Sequence, residues 1–170
     1  FHTWTLNELA RNADKLRFII DDEAPEIIEE RDADRKAAYQ LAKLHQGLID
    51  SNFKGRPLEI FLTRLLFCLF ADDTGMFGDN GRMLSFLNGS RGDGDDLGPR
   101  ISKFFQTLDK QPFERQTNLD DAYNQFPYVN GNLFSEFSEV PSFDSDLRKI
   151  LIECAELDWK DISPAIFGAM

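Results

Sequence analysis

Asp73-Thr74-Gly75 comes closest to a known chemical signature, because Asp-Thr-Gly is the active-site triplet of aspartic proteases. That chemistry needs two such loops, each set between strands, so that two carboxylates share one proton. No second Asp-Thr-Gly or Asp-Ser-Gly occurs in the 170 residues, and this one ends the apolar run of "RLLFCLFADDTGMF" (Arg64 to Phe77). The protease reading therefore fails. His2 and His45 are the only histidines, and neither has a Cys or His at ligand spacing, which argues against zinc. Serine and cysteine nucleophile patterns fail for want of a Gly-x-Ser-x-Gly elbow and of a base. In "GSRGDGDDLG", Asp93 and Asp95 have the alternate spacing of a calcium loop, but no Glu stands at the twelfth position. Its glycines match no dinucleotide or phosphate pattern, so it reads as a solvated and flexible loop. No residue of the chain is a candidate for catalysis, metal ligation or cofactor binding.

Binding residues are the remaining possibility. Phe126, Tyr128 and Phe134 form one aromatic set, and Trp159 with Phe167 a second, either of which offers flat faces to nucleobases. No basic residues are interleaved with them, so filling a core is the favoured role. Lys103, Lys110, Arg115, Arg148 and Lys149, the basic residues of the later helices, are candidate DNA contacts. Against them stand 30 Asp and Glu to 19 Lys and Arg, a net charge of -11 and a pI of about 4.6. Such a surface does not grip phosphate backbones on its own, since nonspecific affinity comes from clustered cations.

These residues sit on elements whose periodicity is helical. Thr5-Leu6-Asn7-Glu8 has capping-box spacing ahead of Leu6, Leu9, Ala13, Leu16 and Ile20. After Pro25 a charged stretch carries Ile27, Ile28, Ala38, Leu41, Ala42, Leu44, Leu48 and Ile49, with "EIIEERDADRK" as its solvated side. Gly55-Arg56-Pro57 breaks the chain, and Pro57 starts a helix from about Leu58 to Ala71 that is apolar on nearly every side. That length spans roughly 20 Å, short of the roughly 30 Å hydrocarbon layer, so the helix belongs inside a bundle and not in a membrane. Gly75 is placed to end it in the left-handed conformation. A short helix around Met83 to Leu87, an amphipathic one through Ile101, Phe104, Phe105 and Leu108, and another through Phe143, Leu147, Ile150, Leu151 and Cys154 follow. Asn130-Gly131 in "FPYVNGNLF" predicts a short hairpin or a tight turn. The expectation is an all-α, irregular bundle of about six or seven helices around a central apolar helix.

Cys68 and Cys154 lie far apart in apolar segments and read as small buried hydrophobes of a reducing compartment, with no disulfide. No secretion signal opens the chain, so the cytoplasm is the expected location. Ser163 and Pro164 announce a final helix that stops at Met170 after about two turns, and Phe1 is no initiator Met. The expectation is a segment of a longer protein.

Three phrases taken in order, "RLLFCLFADDTGMF", "YVNGNLF" (Tyr128 to Phe134) and "LDWKDISPAIFGAM" (Leu157 to Met170), resemble a known family. They are similar to the helical spacer of MmeI-like (Type IIG/IIL) restriction-modification enzymes and of related adenine-specific DNA methyltransferases. The resemblance covers roughly residues 58 to 170. It implies an all-helical domain over residues 1–170, joining an N-terminal nuclease to a domain that transfers a methyl group from S-adenosylmethionine to adenine N6. It also implies that the "SPAIFG" helix leads into that catalytic domain, that double-stranded DNA is the partner of the whole protein, and that Mg2+ serves a nuclease where one is present. The family's Asn-Pro-Pro-Tyr, its Gly-rich cofactor loop, its Gly-x-x-Tyr-Thr and the nuclease Asp with Glu-x-Lys are all absent, so only the spacer role carries over. The alternatives are a spacer of a phage-defence methyltransferase without nuclease, and a free-standing helical module that binds a protein partner.

Overall fold

A computed structural model describes residues 32–163. The helix expected at Leu6 to Ile20, the charged start of the next one, His2, Phe167 and the Pro164 to Met170 stretch lie outside them. Among the described residues there are six α-helices, two single 3-10 turns and no strand. The all-α expectation holds.

Helix α1 (Asp32–Asp50) buries Ala37, Leu41, Leu44 and Leu48 at spacings of four, three and four, which is one face of a 3.6-residue repeat. That face packs on α6 (Ser145–Ala155), which contributes Leu147, Leu151 and Cys154. Gly47 lets the two come together: a Cβ there would stand 2.8 Å from Leu147 Cδ2. Asp144 starts α6 by accepting the Leu147 N–H at 2.8 Å.

Helix α2 (Arg56–Asp73) begins with Pro57 in its first turn and buries residues on several sides, Leu58, Phe61, Leu62, Leu65, Leu66, Phe67, Cys68, Leu69 and Ala71 among them. It is the central helix that its composition demands. Its end is a Schellman closure: Gly75 at φ +77° donates to Asp72 O at 3.1 Å, and Met76 donates to Ala71 O at 2.8 Å. No helix among the described residues is long and apolar enough to cross a membrane.

Helices α3 (Arg82–Asn88) and α4 (Leu97–Leu108) match the short helix and the amphipathic helix expected there. The helix α5 (Asp121–Asn124) is a single turn, started by the Asp120 carboxylate on the Ala122 N–H at 2.8 Å. At Asn130-Gly131 the chain turns, with Gly131 at φ +128°, and no strands flank it. Among the described residues ten phenylalanines of α2, α3, α4 and the connecting loops meet one another edge-on or tilted; the closest centroids are Phe104 to Phe126 at 4.6 Å and Phe86 to Phe104 at 5.1 Å. Phe126, Phe134 and Trp159 are buried among this core, as their core reading expects.

Candidate functional site

The polar residues of the apolar helix α2 are where the fold is joined together. Arg64, 5% exposed, is flanked by leucines and phenylalanines. A buried guanidinium is tolerated only when its donors are met. Its Nε donates to Leu133 O at 2.8 Å and its Nη2 to Glu136 O at 2.6 Å, while the Phe105 and Phe134 rings lie 5.8 and 5.7 Å away. Burial lowers its pKa, with Asp109, Cys68 and Glu136 pulling the other way. One side chain thus ties the central helix to the loop that follows Tyr128.

Asp72 and Asp73 close the same helix but serve two other segments. Asp72 accepts the Gly81 and Arg82 N–H groups, each at 3.1 Å, and so caps the N-terminus of α3, whose own N-cap position is a glycine without a side chain. Asp73 Oδ2 accepts the Trp159 N–H at 2.6 Å. Trp159 is fully buried; its Nε1 donates to Cys154 O at 2.9 Å and its ring meets Phe70 edge-on at 5.6 Å. Four residues on, the Ser163 N–H donates to Asp34 Oδ1 of α1 at 2.8 Å. The segment after α6 is therefore pinned to α2 and to α1 at once. Burial raises the carboxyl pKa of both Asp72 and Asp73.

None of this is catalytic geometry. The Asp-Thr-Gly triplet is a helix ending whose carboxylate holds a backbone N–H. Among the described residues no three His, Cys, Asp or Glu side chains come together as a metal site. His45 is exposed on α1. Cys68 and Cys154 are free and buried, and burial raises both thiol pKa values, that of Cys154 to about 12, which keeps them unreactive. In the loop at 89–96, Asp93 accepts the Asp95 N–H at 3.1 Å and pairs with Arg91, and Asp96 accepts the Arg91 N–H at 2.8 Å. That loop is tied down rather than loose, and the buried Gly94 lies against the Asp144 backbone.

The five basic residues named as DNA contacts divide. Lys103, Lys110 and Arg115 line one open depression of about 110 Å³ with Gln106, Thr107 and Gln116. Arg115 is 8% exposed and commits its donors to the carbonyls of Thr107, Lys110, Asn124 and Phe126 at 2.8–3.2 Å. Arg148 donates to Ser90 Oγ at 2.8 Å and to the carbonyls of Ser90 and Asn88, closing the end of α3. Lys149 is exposed on α6, away from that depression. The joining roles of Arg64, Asp72, Asp73 and Asp34 escape sequence reading; the one available signal is an arginine in the middle, and two adjacent aspartates at the end, of the mostly apolar run of α2.

Residues 56–134 match the family described as "MmeI, helicase spacer domain". The chain resembles the MmeI spacer family across its central helices. The match starts at the first residue of α2 and ends beside Leu133, whose carbonyl Arg64 holds. DNA methyltransferase A of Bacillus subtilis (strain 168) is 38% identical over 152 residues, covering 87% of this chain and 17% of that protein. The type IIL restriction-modification enzyme MmeI, solved in complex with DNA, superimposes with a TM-score of 0.74 at 40% identity, over 79% of this chain and 18% of that one. The chain thus spans less than a fifth of either relative.

Proposed function

We propose that this chain is the noncatalytic helical spacer of an S-adenosylmethionine-dependent DNA adenine-N6 methyltransferase of the restriction-modification type. In this reading residues 1–170 are one spacer domain, followed directly by the methyltransferase domain. The cofactor and the reacting adenine are held by that neighbour, and Mg2+ by a nuclease where the protein has one. Double-stranded DNA is bound through the whole protein, in the cytoplasm. A phage-defence methyltransferase without nuclease would use the same spacer.

The observation that carries the reading is the pinning of the Trp159 to Ser163 segment by Asp73 and Asp34. A spacer is useful only if it fixes the direction in which the chain leaves it, and a flexible linker would not. The three phrases of the family resemblance are the parts so joined: Arg64 binds the "YVNGNLF" loop, and Asp73 binds the "LDWKDIS" segment. The relatives' names, a DNA methyltransferase and a restriction-modification enzyme solved with DNA, support the chemistry assigned to the neighbours.

The test is methyl transfer from labelled S-adenosylmethionine to unmethylated DNA by the full-length protein, with the 170-residue chain as control. Label in adenine from the full-length protein and none from the chain is the expected result. No incorporation by a folded full-length protein on varied DNA would remove the methyltransferase reading. The second reading, a free-standing module for a protein partner, draws on Phe113 and Phe137, which are 84% and 87% exposed. It would then be tested by searching for that partner.

A further inference from the structure

We infer that Lys103 and Lys110 form a contact for the phosphodiester backbone of the DNA bound by the full-length protein, with Arg115 as its buried positive floor. The inference rests on the function proposed above. In a chain of net charge -11, three cations lining one depression are a local reversal of sign. Lys103 is exposed on α4 and Lys110 is exposed in the turn two residues past the helix end at Leu108, and both line the same depression. Among the described residues neither is within salt-bridge distance of a carboxylate. The Lys103 Nζ rests 4.6 Å from the centroid of the Tyr123 ring, which steadies the ammonium and leaves its N–H donors to a further acceptor.

No Asp or Glu lines the depression, and two carboxylates nearby in sequence are turned to backbone N–H groups instead. Asp120 accepts the Ala122 N–H at 2.8 Å, and Glu114 accepts the Gln111 N–H at 2.9 Å. Gln106 and Gln116 add amide donors at the rim. Arg115 spends its N–H groups on carbonyls, so it adds positive potential beneath the lysines and no direct bond. Two exposed point charges over a buried one, with neutral donors beside them, suit a phosphate backbone, which needs charge at intervals and no base readout.

The test titrates the full-length protein and its Lys103→Gln/Lys110→Gln variant onto a labelled duplex over a series of salt concentrations. Each phosphate neutralised contributes about 0.9 to the slope of log K against log salt, so the variant should lose roughly 1.8 from that slope. A Lys103→Arg/Lys110→Arg variant should keep the wild-type slope. Equal slope and affinity in the Gln variant and the wild type, with methyl transfer intact, would overturn the contact and leave the spacer reading standing. A wild-type protein that neither binds nor methylates DNA would remove both. If the Gln pair lowers the melting temperature, Lys110→Gln alone carries the test, with an expected loss of about 0.9; an unchanged slope there overturns the contact as well.

Discussion

At the scale of single residues, Asp73 is a carboxylate kept for its acceptor and penalised for its charge. Burial raises its pKa above the ordinary 3.8; the Trp159 N–H lowers it, Asp158 and Asp72 raise it, and Lys160 lowers it. The folded state therefore holds the proton more tightly than the unfolded one. The stabilisation that comes with protonation is complete below 3.8 and is lost as pH rises through the folded-state value. Asp73→Asn keeps an oxygen for the Trp159 N–H and never ionises. Measured by urea unfolding, its stability relative to wild type should rise between about pH 4 and about pH 7; a difference constant over that range would show that the charge carries no penalty. Asp73→Ala, which leaves the N–H unpaired, should cost about 1–3 kcal/mol at either pH.

At the scale of elements, close approach decides more than propensity does. Gly98 is in the first turn of α4, and a Cβ there would lie 2.6 Å from Pro141 O, a backbone atom that cannot swing aside. Helix propensity alone would have Gly98→Ala stabilise the chain by up to about 1 kcal/mol. The contact predicts the opposite sign, a loss of about 1–3 kcal/mol, because α4 or the Pro141 loop must shift. Gly92→Ala, with nothing within 4 Å, is the control and should leave the urea midpoint nearly unchanged. A stabilised Gly98→Ala would mean that the loop gives way freely. The same contrast explains what the sequence made legible. The buried faces of α1 and α4, Ala37-Leu41-Leu44-Leu48 and Ile101-Phe104-Phe105-Leu108, are local periodicities, and they are readable without knowing any partner. Arg64 meets carbonyls 69 and 72 residues away, and Gly98 is needed because of Pro141; nothing in their own neighbourhoods records either fact. For the same reason the five candidate cations looked equivalent, although Arg148 is spent on the end of α3 and Arg115 on four carbonyls. The single-turn α5 is too short to leave a periodic signal at all.

At the scale of the molecule, the proposed spacer role asks that the segment after α6 be held at a fixed angle to the bundle. Here that segment has two backbone N–H groups fixed by carboxylates of two different helices, Trp159 by Asp73 and Ser163 by Asp34, with the buried Trp159 and Ile162 side chains between them. Removing both carboxylates should free the segment without melting the bundle, since the core of α1, α2 and α4 does not depend on them. In Asp34→Ala/Asp73→Ala, hydrogen exchange of the Trp159 and Ser163 amides should quicken by roughly tenfold or more, the effect of losing about 1–3 kcal/mol of local protection. Amides at Leu65 to Leu69 in the middle of α2 should keep their wild-type rates. Uniform acceleration over all helices would mean that the two carboxylates hold the whole fold together and not its exit. Unchanged rates at Trp159 and Ser163 would mean that other contacts, the buried Trp159 and Ile162 side chains among them, hold the segment, and the rigidity assigned to the carboxylates would pass to those.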